Sequence, residues 1–196
     1  MSISFRRILA SSIVGLFATS AMASDGTINF TGEITAASCT ATAGAGTSVT
    51  GPKGNQVYDV KMGKVSMDSL SGTPTGIVAG TAININLDCG GTGTGLTTVS
   101  VQFDPNSGSG VDLKNNNLLK TTGTATGVGI GMYNSSNTLI NLGGNGKFDA
   151  PLIKTGTGPA FNYSASLNLR AAYVANGDVM QAGTANGELP FTLTYQ

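Results

Sequence analysis

From Ile83 to Cys89 the chain alternates strictly, with Ile83, Ile85, Leu87 and Cys89 on one side and Asn84, Asn86 and Asp88 on the other. A period of two places every second side chain on one face of an extended strand, and no helix face has that spacing. The pattern recurs in Val99, Val101 and Phe103, and in Val128, Ile130 and Met132. Its longest run is Phe161, Tyr163, Ala165, Leu167, Leu169, Ala171 and Tyr173, and the chain closes on Leu189, Phe191, Leu193 and Tyr195. Ile28, Phe30, Gly32 and Ile34 repeat it near the beginning, while Val57 to Val65 alternates less regularly. Strands that are apolar on one side only must close a core between sheets, so the chain is expected to be all-β. Composition agrees: 29 glycines, many threonines and only 10% charged residues suit strands and turns better than helices.

Turn chemistry separates these runs. Asp104-Pro105-Asn106 and Gly108-Ser109-Gly110 follow Phe103, and Gly90-Gly91 follows Cys89. Asn145-Gly146, Asn176-Gly177 and Asn186-Gly187 are dipeptides that tolerate positive φ. Thr40 to Asn55, small and glycine-rich, reads as a loop. Pro190 opens the last strand, where a missing donor does little harm. No linker divides the chain and no fixed repeat runs through it. The expected architecture is about seven or more antiparallel strands in a sandwich of immunoglobulin-like size and spacing.

The first residues point to export. Arg6 and Arg7 precede a mostly apolar run, Ile8 to Ala18, and Ala21-Met22-Ala23 is a small-x-small cleavage site. The expected cut lies between Ala23 and Ser24. The run is too short to remain as a membrane span. Removing residues 1–23 of 196 leaves 173, enough for one domain with a core. It also leaves eight basic against ten acidic residues and no basic cluster. Nucleic acid is therefore not an expected partner, nor is membrane insertion. In an oxidising compartment Cys39 and Cys89 read as a disulfide, with two free thiols as the competing reading.

Catalytic chemistry finds little to work with. The chain has no histidine, which removes Ser-His-Asp and Cys-His catalysis and every His-dependent metal site. The acidic residues fall mainly at strand ends and turns, where Asp is common for backbone reasons. Gly91-Thr92-Gly93 and Gly127-Val128-Gly129-Ile130-Gly131 lack the Lys-Ser/Thr of a phosphate loop and open no helix. No enzyme activity, cofactor or metal is expected.

Particular residues carry a family resemblance. Gly26-Thr27-Ile28-Asn29-Phe30-Thr31-Gly32-Glu33-Ile34, leading to Ala37-Ser38-Cys39, is similar to the N-terminus of the major pilins of type 1 fimbriae. The run Ala82 to Cys89 resembles their second cysteine strand, and Val60 to Val65 resembles the strand pair between the cysteines. At the other end Tyr195 is penultimate and Gly183 is fourteenth from the end, the two marks of the pilin C-terminal motif. Only Ser24 and Asp25 precede Gly26, so the arm is short beside that family, and the span between the cysteines is longer.

The resemblance implies a cleaved signal (1–23), a donor-strand extension (24–36) and a pilin domain (37–196). That domain would be an incomplete immunoglobulin-like sandwich lacking its C-terminal G strand and completed by donor-strand exchange. Ile28, Phe30 and Ile34 would insert into a neighbour, with Gly32 at a constriction. Gly183, Leu189, Phe191, Leu193 and Tyr195 would mark the groove that receives the donor and contacts the chaperone. The implied partners are a periplasmic chaperone, an outer-membrane usher and other copies in a homopolymer. The implied place is a fimbrium on the bacterial surface, reached through the periplasm and supporting adhesion or biofilm formation. The alternative is a minor or tip subunit that binds a glycan, with Tyr58, Tyr133 and Phe148 as candidate stacking aromatics.

Overall fold

The computed structural model describes residues 39–44, 47–52, 55–71, 80–144, 146–158 and 160–196. The expectations on Ala23, Ser24, Ile28, Phe30, Gly32 and Ile34 lie outside the described residues. The elements are β1 (Thr40–Ala43), β2 (Thr47–Thr50), β3 (Val57–Val60), a short helix α1 (Met67–Ser71), β4 (Gly80–Gly90), β5 (Thr98–Phe103), β6 (Leu119–Lys120), β7 (Val128–Tyr133), β8 (Lys147–Pro151), β9 (Ile153–Thr155), β10 (Asn162–Ala175) and β11 (Phe191–Tyr195). No helix among the described residues is long and apolar enough to cross a membrane.

The clean alternation of the sequence becomes the central ladder. β10 runs antiparallel to β4, with Ala165 opposite Leu87, Leu167 opposite Ile85 and Leu169 opposite Ile83. All six side chains are buried, and they join Val99, Val101 and Phe103 of β5 in one apolar cluster. The first sheet has the order β1-β4-β10-β7-β6, with β9 also pairing β10. The second is β11-β5-β8, and β2 and β3 form a separate hairpin. The glycines of β7 belong to this packing and hold no phosphate loop. A Cβ on Gly129 would lie 2.9 Å from Leu118 Cβ, so the bare face of β7 admits a covering side chain.

Two segments differ from the sequence expectation. Thr40 to Asn55 holds β1 and β2 and is not a plain loop. Thr40, Thr42, Thr47, Val49 and Thr50 are β-branched, and β1 gains its partner from the Ile85–Asp88 stretch of β4, which local glycine content does not reveal. The strand expected over Val57 to Val65 stops at Val60. Gly63 has φ +72°, a left-handed conformation that ends the extended run.

Cys39 and Cys89 are joined as a disulfide across a sequence separation of 50, beside the pairing of Thr40 with Asp88. The free-thiol reading is thereby set aside. Closing a loop of that length stabilises the folded state by about 4 kcal/mol through the unfolded chain. Replacing both cysteines with serine is expected to lower the urea-unfolding free energy by about that amount, with little change in far-ultraviolet circular dichroism. A loss below about 1 kcal/mol would show that the unfolded chain is not the species being constrained.

Candidate functional site

The last strand has a paired side and an open side. β11 lies antiparallel to β5, with Phe191 opposite Phe103, Leu193 opposite Val101 and Tyr195 opposite Val99. The bonds at either end fix which residues point their main chain at β5. Asp104 donates its N–H to the Pro190 carbonyl at 2.8 Å, and Gln196 and Thr98 exchange N–H···O bonds of 2.9 and 2.8 Å. In an antiparallel ladder the residues that bond to one neighbour alternate with those that bond to the other. The even-numbered residues therefore serve β5. Phe191, Leu193 and Tyr195 turn their N–H and C=O groups to the opposite edge, where β11 has no hydrogen-bonded strand among the described residues.

The same three residues send their side chains inward, and there too the site is unfinished. Val99, Val101 and Phe103 are 0%, 1% and 4% exposed, whereas their partners Tyr195, Leu193 and Phe191 are only half-buried. One rung of the core is thus closed on its β5 half and open on its β11 half. Tyr58 of β3 reaches this open half, its ring centroid 5.8 Å from that of Phe191 at an interplanar angle of 51°. Burial pushes the Tyr195 and Tyr58 phenols up from their ordinary value of 10.0, and the charge of Tyr195 adds to the effect on Tyr58. Sequence reading placed Tyr58 among possible sugar-stacking aromatics.

The remaining site residues separate from these three. Leu189 lies just before β11 and packs half-buried on the core. Gly183 lies well before the strand, in a segment whose ends bridge Thr126 with Gln181 and Thr122 with Asn186. A Cβ there would come within 2.5 Å of the Ala125 nitrogen, so the absent side chain permits close approach of two backbones. Tyr133 is buried in β7 and Phe148 is half-buried in β8, so the three candidate aromatics occupy three different strands.

A family model described as Fimbrial protein matches residues 28–196. Among solved structures, a subunit of a chaperone–usher pilus, from a study of rod uncoiling, is similar at 22% identity and a TM-score of 0.55. That likeness covers 88% of this chain and 96% of that one. The CupB6 tip adhesin of Pseudomonas aeruginosa is similar at 24% identity and a TM-score of 0.50, over 69% of this chain and 34% of the adhesin. The chain thus spans about a third of that adhesin's length. No curated protein matches.

The buried and half-buried phenols, two of them at the β11 edge, give the fold a pH signature. Tyr58, Tyr133, Tyr173 and Tyr195 all have folded-state values raised above 10.0 by burial. A raised acid contributes stability that is fully present below the unfolded value and is lost as pH rises through the folded one. The denaturant midpoint is therefore expected to hold level between about pH 7 and pH 9 and to fall near pH 11. Tyr195→Phe should shrink that fall, and a midpoint that stays level to pH 11 would contradict the burial of these groups.

Proposed function

The chain belongs to the fimbrial protein family, and on that premise we propose that it is a structural subunit of a chaperone–usher fimbria, polymerising by donor-strand complementation. The observation that carries this reading is the row Phe191, Leu193 and Tyr195, whose outward main chain has no hydrogen-bonded strand among the described residues and whose side chains are half-buried. Such an edge is a hazard in isolation and a receptor in the presence of a strand. An added strand would satisfy the backbone on one side and complete the apolar rung beneath it. A periplasmic chaperone fills this place first, and at the outer-membrane usher the arm of the next copy replaces it. Residues 24–36 supply that arm, with Ile28, Phe30 and Ile34 entering the groove and Gly32 passing its narrowest point. The product is a fimbrium on the bacterial surface that supports adhesion or biofilm formation. The glycan-binding tip alternative has weaker support, since Tyr133 is buried in β7 and Tyr58 and Phe148 lie on two other strands.

Deleting residues 24–32 is expected to abolish fibre assembly while leaving chaperone capture intact, because the arm donates and β11 receives. Electron microscopy of fibres and co-purification with the chaperone read the two outcomes separately. Fibres assembled from the truncated chain would remove the arm from the mechanism. Tyr195→Ser, which alters the receiving side, is expected to lower chaperone capture and the periplasmic level together. Undiminished capture by that variant would count against the β11 edge as the receptor.

A further inference from the structure

We propose that the outer face of the first sheet is a self-complementary contact surface, through which fibres of this chain associate side by side. The proposal rests on the fimbrial reading above, since its occupant is a second copy carried by a neighbouring fibre. The face is separate from the receiving edge of β11, which belongs to the second sheet.

Its residues follow from the register. The odd-numbered residues that pair β4 with β10 are buried, so their even-numbered neighbours stand on the other side of the sheet. Thr40, Asp88 and Ser164 form one row across β1, β4 and β10. Thr42, Asn86 and Ser166 form the next. Asn84 with Asn168, and then Ala82 with Arg170, continue the series. Thr40, Thr42, Asn86, Asp88, Ser166 and Asn168 are exposed.

Two charges bound this face, and their signs differ. Asp88 stands in the first row and Arg170 in the last, about 20 Å apart at the usual rise per residue. Neither has an ion-pair partner among the described residues, where the paired carboxylates are those of Asp149 and Asp178. A Cβ on Gly80 would come within 2.6 Å of Arg170 Cδ, and Arg170 donates to Asn137 Oδ1 at 3.1 Å, so its stem is held on this face. Between the two charges the rows hold neutral side chains. Ser166 donates to Asn86 Oδ1 at 3.1 Å, which leaves the amide nitrogen of Asn86 as a donor toward a facing copy.

A two-fold axis in the plane of the face suits this pattern, running across the strands between the Asn86 and Asn84 rows. It sets Asp88 of each copy against Arg170 of the other, about one strand spacing aside, and turns amide and hydroxyl rows toward each other. Opposite signs thus meet at both ends. The area decides what such a contact can do. Three strands over about 20 Å give about 300 Å² per copy. A stable pair buries about 800 Å² on each side. Two isolated copies are therefore not expected to stay together. Copies repeated along a fibre present the face many times, and weak contacts then add.

The test uses purified fibres of the full chain at low salt, with bundle width in electron micrographs and low-speed sedimentation as readouts. Wild-type fibres should bundle, and should separate in about 1 M salt, where the screening length falls to about 3 Å. Asp88→Arg and Arg170→Asp should each cut the sedimented fraction about fivefold. Mixing fibres of these two variants should restore it, because each then meets the opposite sign at both ends of the face. Ser166→Lys, which leaves both ends unchanged, should also separate the fibres by adding a like charge to each copy near the axis. Absence of wild-type fibres would remove the fimbrial reading and this inference together. Wild-type fibres that form and stay single at low salt would overturn only the side-by-side contact. Full bundling by either charge variant alone, or a mixture that stays apart, would overturn it as well. So would bundling that requires a component absent from purified fibres, which would make that component the occupant.

Discussion

A backbone amide withdrawn from water needs a partner, and in a sandwich that partner must come from the next strand. The β4–β10 ladder meets this requirement over its whole inward stripe, with Ile83, Ile85 and Leu87 matched against Leu169, Leu167 and Ala165. Everything else is arranged around that pair. β1 is added to the outer edge of β4, β7 and β9 to the outer edge of β10, and β5 closes the core from above. Where the requirement stops being met, an edge is left that can accept another strand. Among the described residues, the outer edge of β11 is such a place.

The fimbrial family and the open β11 edge support each other without being the same observation. Family membership rests on residues 28–196 as a whole. The edge rests on the parity of a few hydrogen bonds and on the contrast between buried Val99 and half-buried Tyr195. A core that is finished on one side of a rung and unfinished on the other is poorly suited to an isolated monomer, and well suited to a chain whose last strand is shared.

Much of this fold was legible in the alternation. β4, β5, β7, β10 and β11 lie where a period of two places them, because each buries one face and exposes or covers the other. The cysteine pairing followed from compartment and count. The short strands were not legible. β6 and β9 have too few residues to show a period, and β1 and β2 are built from small residues whose pairing is set by β4. In the candidate site, Phe191, Leu193 and Tyr195 were readable as one face. Gly183 was readable only as a motif position, since its reason, the close approach of Ala125, depends on a segment some sixty residues away.

The disulfide has a mechanical corollary. Tension applied to the chain ahead of Cys39 does not travel through β1, β2 and β3 to reach the core. It crosses the sulfur–sulfur bond directly to Cys89, near the end of β4, and enters the first sheet there. The intervening residues 40–88 form a covalent side loop that carries none of that pull. The β2–β3 hairpin and nearly all of β4 lie inside that loop and are spared, and the pull passes on from Cys89 through Gly90 towards β5.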